Sequence, residues 1–235
     1  MVCRLRCKTK VVAFLPVQID LNSLLPERWQ NLIDTSVLDQ ISQKLAGEFL
    51  PRSSNIFKAF ECDPDLIKII ILGQDPYPNP EHAMGLAFSV PETKNTLPAS
   101  LKNIFLELKS DLGVDRKSGD LSDWAAQGVF LLNTCLTVLP NDPLAHTKIG
   151  WQQFTESIIA HLSKREVIGV LWGNHAQKMN HYFAHEDLFT SVHPSPLSAY
   201  RGFFGSPETQ FRTCNHLADS ARPAENESGT YSHHS

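Results

Sequence analysis

Four short, largely apolar runs constrain this chain more than any other feature: "LIKIIILG" (66–73), "GVFLLN" (128–133), "EVIGVLWG" (166–173) and "LFTSVHP" (188–194). A strand with one wet face alternates apolar and polar residues. The first three of these runs do not, so they read as strands covered on both faces, as in a parallel sheet. Helical spacing fills the gaps. From Pro26 to about Leu50, Trp29, Leu32, Ile33, Val37, Leu38, Ile41 and Leu45 recur at helical intervals, and Gly47 and Pro51 close the segment. Further helical stretches are expected near 98–112, 151–164 and 174–184. Strands alternating with helices imply βαβ units and a doubly wound α/β sheet. One domain is expected over 21–221, with a loosely ordered segment at 1–20. A disordered tail is expected over "RPAENESGTYSHHS" (222–235), which is polar and lacks apolar anchors.

Composition narrows the class. No apolar run approaches the ~18–20 residues of a membrane span. No small-residue cleavage site follows VVAFLPV, so a secretory signal is not expected. Cys3, Cys7, Cys62, Cys135 and Cys214 make an odd count without a CxxC pair. That points to a reducing compartment, with no disulfide framework and no metal site. His181 and His185 have helical i, i+4 spacing but no acidic or cysteine partner placed for zinc, so they read as solvated. The compartment expected for a bacterial chain is the cytoplasm. The basic opening MVCRLRCKTK leaves a nuclear or mitochondrial location open. The net charge of −4 argues weakly against nucleic acid as partner, although a local patch can differ from the sum.

In an open parallel sheet, ligands bind beyond the carboxyl ends of the strands. After the first run come Gln74, Asp75 and Tyr77, held in "GQDPYP". The second ends in Asn133, the third in Gly173 and Asn174, and the fourth leads into His193 and "PSPLS". Each alone has an ordinary structural reading, as a cap, a turn residue or a surface histidine. Together they put an acid, an amide and an imidazole on one rim.

These segments carry a resemblance. "GQDPYP", "GLAFS" (85–89), "LLNT" (131–134) and "HPSPLS" (193–198) are similar to motifs of the main, most widespread family of uracil-DNA glycosylases, in the family's order, over about Pro26 to Gly205. The resemblance implies a single α/β domain with a central four-stranded parallel β-sheet flanked by α-helices, acting as a monomer without metal or cofactor. It implies hydrolysis of the bond between uracil and deoxyribose in single- or double-stranded DNA, the first step of base excision repair. DNA-mimicking protein inhibitors are expected as further partners. This chain departs from the family at Pro78, where many members carry His, and at Asn174, where many carry Ser.

The implied roles fit the chemistry of each side chain. The sugar becomes cation-like as the base leaves with negative charge, so a site must stabilise both. Asp75 would face the sugar and orient or deprotonate water, with Gln74 backbone close to that water. His193 would donate an N–H to the departing base, a contribution of ~2.7–4 kcal/mol by analogy with oxyanion sites. The Asn133 amide can match uracil N3–H and O4, and cytosine reverses that pattern. Phe88 would stack on the base, and Tyr77, stiffened by Pro76 and Pro78, would block a C5 methyl. Leu197 would act as a wedge that flips the nucleotide out. Ser100, Ser195, Ser198, Gly173, Asn174 and Arg201 would hold phosphates and backbone, with Ser100 expected just before a helix. Two other readings remain at this stage: a non-catalytic DNA-binding protein on the same scaffold, and a hydrolase for another damaged base or a free nucleoside. Strand scission at abasic sites after incubation with uracil-containing DNA or free deoxyuridine separates them.

Overall fold

The computed structural model describes residues 19–92 and 96–204. The expected polar tail at 222–235 and the stretch from 205 to 221 lie outside the described residues. So does the expected loose N-terminal segment, except for Ile19 and Asp20. Asp20 is well used: its carboxylate caps a short helix by accepting from the Ser23 N–H.

Four parallel strands, β1 (Ile69–Gly73), β2 (Val129–Asn133), β3 (Ile168–Trp172) and β4 (Leu188–Ser191), form one sheet in the order β2-β1-β3-β4. Every residue of β1 and β2 is buried. Their unbroken apolar character is therefore the signature of cover on both faces. Among the described residues, seven helices accompany the sheet: α1 (Leu21–Leu24), α2 (Glu27–Gln30), α3 (Ser36–Lys44), α4 (Ala99–Leu112), α5 (Ser122–Ala126), α6 (Trp151–Leu162) and α7 (Gly173–Ala176). Trp29 of α2 stacks on Phe130 of β2 with ring centroids 5.3 Å apart and meets Phe60 edge to face at 5.0 Å. The Trp29 indole N–H donates to the Phe60 carbonyl at 2.8 Å. Such aromatic pairs add about 0.5–1.5 kcal/mol beyond burial, and here they lock the N-terminal helices to the sheet.

The strand order fixes where a ligand can sit. From β1 the chain crosses to β2 on one side, then returns past β1 to β3 on the other. Loops leaving β1 and β3 therefore diverge, and a crevice opens at their carboxyl ends. Register aligns the rim: Gly73 pairs with Asn133, and Trp172 with Ser191.

Strands β3 and β4 are shorter than the runs that announced them, and four further boundaries differ from the sequence reading. The helical pattern over 26–50 is split into α2 and α3, because Asp34 accepts the Ser36 N–H and restarts the helix after a turn. β1 begins at Ile69; Leu66 belongs to a 3-10 turn opened by Asp63 and Pro64, and is 67% exposed. Gly173 does not end a strand but begins α7, at φ +86°. A Cβ there would stand 2.7 Å from the His193 Cβ, so glycine lets the two loops touch. Beyond α7 the expected helix continues only as a 3-10 turn, Gln177–Tyr182.

Candidate active site

Beside that crevice, beyond β1 and β2, lies a cavity of about 190 Å³, on the scale of a single-ring base. Gln74, Asp75, Tyr77, Phe88, Ser100, Asn133 and His193 all line it. Gly73 forms its floor for a steric reason. A Cβ at that position would lie 2.1 Å from the Asn133 Oδ1, so only glycine admits the Asn133 amide there. Asn133 is 5% exposed, an amide fixed at the bottom of the cavity.

Asp75 is half-buried, and burial raises its pKa above the ordinary 3.8. One contact opposes this: the Leu144 N–H donates to the Asp75 Oδ2 at 2.7 Å and favours the charged form. Leu144 reaches it with φ +69°, an unusual conformation for a branched side chain. The loop that presents it is anchored from below. The Trp151 indole N–H donates to the Thr137 Oγ1 at 2.7 Å, and that hydroxyl lies 2.9 Å from the His146 Nδ1. The Asn141 N–H donates to the Pro78 carbonyl at 2.8 Å, tying the same loop to the DPYP turn.

His193 has a defined tautomer. The Ser195 N–H donates to its Nδ1 at 3.0 Å, so Nδ1 is the lone-pair nitrogen and Nε2 carries the proton. Burial lowers its pKa below 6.5, which keeps the ring neutral at pH 7. A neutral N–H donor is what a base leaving with negative charge requires. Phe88 lies beside it, with ring centroids 5.9 Å apart, and meets Trp172 edge to face at 5.4 Å. Phe88 also has a positive φ, +63°, so its backbone is held by its surroundings rather than by its own preference. The Tyr77 hydroxyl donates to the Phe88 carbonyl at 3.2 Å. Burial raises the phenol pKa, so this donor keeps its proton. His82 packs edge to face against the Tyr77 ring at 5.8 Å.

The remaining expected residues lie around the cavity. Gly173 and Asn174 line a second cavity of about 210 Å³, which shares Gly73, Gln74 and His193 with the first. Ser100 is inside α4, as its second residue, rather than before it; Pro98 supplies the cap. Ser195, Leu197, Ser198 and Arg201 stand on the loop and turn after β4. There the Ser198 hydroxyl donates to the His193 carbonyl at 2.7 Å and lies 3.0 Å from the Ser195 hydroxyl. The Asn103 amide of α4 donates to the Pro194 carbonyl at 2.7 Å, which ties this loop to α4. Leu197 is 84% exposed, far from the ordinary environment of a leucine.

Residues 60–218 match the family model described as the uracil DNA glycosylase superfamily. The chain belongs to this superfamily. It is 44% identical over 204 residues to a uracil-DNA glycosylase of Corynebacterium efficiens, covering 81% of this chain and 84% of that one. It is 45% identical over 202 residues to a uracil-DNA glycosylase of Mycolicibacterium smegmatis, covering 79% and 88%. Among solved structures it resembles mimivirus uracil-DNA glycosylase, with TM-score 0.71 and 31% identity over 77% of this chain and 74% of that one. A variant of the mimivirus UNG in complex with UGI matches at the same TM-score and 32% identity, over 77% and 75%.

Within the uracil DNA glycosylase superfamily, this chain also uses groups that the motif residues did not reveal. Leu144 contributes a backbone N–H, which any non-proline residue could supply, so no side-chain pattern marks it. His146, Thr137 and Trp151 make a buried network from residues that look unremarkable one by one. Tyr200, 82% exposed three residues after Leu197, is a second large bare side chain beside it. Its exposure alone singles it out, and that is invisible in sequence.

Proposed function

We propose that this glycosylase draws uracil out of DNA into the first cavity and hydrolyses its bond to deoxyribose with the side chains described above. As the C1′–N1 bond breaks, its electron pair moves onto the base and the sugar becomes cation-like. The Asp75 carboxylate faces that cation and takes the proton of the water whose oxygen bonds to C1′. The His193 Nε2–H donates to the base oxygen on which negative charge gathers. Asn133 reads the edge of the base, Phe88 stacks on its face, and Tyr77 closes the C5 side. Leu197 fills the space the base leaves. Ser100, Ser195, Ser198, Gly173, Asn174 and Arg201 hold the flanking phosphates, through hydroxyls and N–H groups rather than an excess of basic side chains. That accounts for DNA binding by a chain of net charge −4.

The observation that carries this reading is the Ser195 N–H on the His193 Nδ1. It fixes a neutral N–H donor in the same small cavity as a carboxylate, the two charges-in-waiting that base departure needs. The protein acts as a monomer, on single- and double-stranded DNA, in a reducing compartment. The UGI-bound neighbour supports protein inhibitors as further partners.

The test is release of free uracil from a uracil-containing oligonucleotide. Asp75→Asn is expected to lose most cleavage while still binding the DNA, since shape survives and charge does not. His193→Leu is expected to slow cleavage at least tenfold, or ~1.4 kcal/mol. Full turnover by either variant overturns the assignment.

A further inference from the structure

His175 lies in α7, outside the first cavity and outside every role assigned above. Its Nε2 stands 2.8 Å from the Thr134 Oγ1. The same hydroxyl stands 3.0 Å from the Gln74 carbonyl oxygen. A hydroxyl has one proton and a carbonyl has none. Two oxygens at 3.0 Å need that proton between them, so Thr134 donates to Gln74. The contact to His175 is then made by an Nε2–H donating to the Thr134 oxygen. Burial, reinforced by Lys178, lowers the His175 pKa, so the ring is a neutral Nε2–H tautomer at pH 7.

The chain of donors ends on the peptide that matters most. The Gln74 carbonyl also accepts the Cys135 N–H at 2.9 Å, and the Thr134 N–H holds the Gly73 carbonyl at 3.0 Å. Thr134 itself is fixed, fully buried, with its own carbonyl accepting from the Thr155 hydroxyl at 2.9 Å. A peptide unit is planar and trans. Pinning the Gln74 C=O toward Thr134 and Cys135 therefore aims the Asp75 N–H the opposite way and sets the direction in which the Asp75 side chain leaves the backbone. Each donor in a series also polarises the next. A histidine N–H on the hydroxyl oxygen strengthens the hydroxyl's bond to the carbonyl, which makes the Asp75 N–H a better donor to negative charge.

We infer that His175 is a positioning residue, which acts through Thr134 on the Gln74–Asp75 peptide to orient the acid and sharpen its amide for the departing base. This deepens the proposed function and rests on it, since the amide gains only if the base leaves with negative charge. Nothing in the role requires His175 to touch DNA.

Two measurements test it, one with activity and one without. Uracil release is followed under single turnover and at steady state for His175→Leu, His175→Gln, Thr134→Val, Thr134→Ser and the His175→Leu/Thr134→Val pair. Loss of one ordinary hydrogen bond predicts a fall of about tenfold or less in kcat for His175→Leu and Thr134→Val, with KM changed by less than about twofold. His175→Gln, which restores an N–H donor, and Thr134→Ser, which keeps the hydroxyl, are expected to recover most of the rate. The double variant is expected to be no slower than the worse single one, because both cut the same series. An unchanged kcat in His175→Leu, a KM effect alone, or losses that multiply in the double variant would overturn the inference. Nitrogen NMR of histidine-labelled wild-type protein reads the His175 tautomer directly, and a proton on Nδ1 would also overturn it. If the wild type released no uracil at all, the proposed function would fail, while the tautomer measurement would still decide the hydrogen-bond series.

Discussion

Tyr77 shows how much a single rigid ring can decide. Thymine is uracil plus one methyl, and a yielding apolar pocket separates ligands that differ by such a group only ~10–200-fold. A wall that cannot retreat does better. The Tyr77 ring is held at three points: its hydroxyl on the Phe88 carbonyl, its edge on His82, and its backbone between Pro76 and Pro78. Pro76 is buried, and the Pro78 carbonyl is tied to the Asn141 N–H. Proline fixes φ near −65° and restricts the residue before it. Tyr77→Ala is therefore expected to release thymine from DNA while keeping measurable uracil release. Pro76→Gly and Pro78→Gly are expected to lower the uracil-to-thymine ratio with the ring still present. Free base from matched thymine and uracil oligonucleotides measures both. A Tyr77→Ala variant inert toward thymine and normal toward uracil would place the wall elsewhere.

At the scale of elements, the loop after β4 joins three tasks in a few residues. His193 lines the cavity, Ser195 and Ser198 brace it, and Leu197 stands bare beside them. Asn103 of α4 fixes the root of this loop through the Pro194 carbonyl. Leu197→Ala should impair cleavage of a uracil paired in duplex DNA by about tenfold or more, as unstacking and unpairing cost a few kcal/mol. A single strand lacks most of that cost, so its loss should be smaller. Equal losses on both substrates, measured as kcat/KM, would exclude a wedge. The elements also show what the sequence could reveal. The four strand runs and the residues after them were legible, because burial on both faces and strand-end chemistry leave local marks. The break between α2 and α3 was not, since both helices bury apolar residues and the spacing runs through the turn. Nor were Leu144 on Asp75, or His175 on Thr134. Those contacts join positions 69 and 41 residues apart, and only the sheet order brings them together.

Taken as a whole, the molecule folds three histidines into surroundings that disfavour their charge. Burial lowers the pKa of His146, His175 and His193 below the ordinary 6.5. As pH falls below about 6.5, the unfolded chain takes up protons that the folded one refuses, so stability must fall. Asp75 works in the other direction. Its pKa is raised above 3.8, so in the acid range the folded state accepts that proton first and is favoured by it. The histidine effect comes first on acidification. Thermal melts should give a melting temperature that falls from pH 7 to pH 5.5, and His146→Gln with His175→Gln should flatten that slope. A melting temperature that rises on acidification through this window would contradict the burial of these rings.

The strand order has one more consequence, in time rather than in space. Asp75 follows the first strand and His193 follows the last, and they meet only because β3 returns to lie against β1. A ribosome that has released β1 and β2 has made the acid and the edge-reading amide, but nothing to receive the departing base. The wedge comes later still. On these assignments the site is complete only once β4 and the loop after it have emerged and docked, so its chemistry arrives with the last part of the fold.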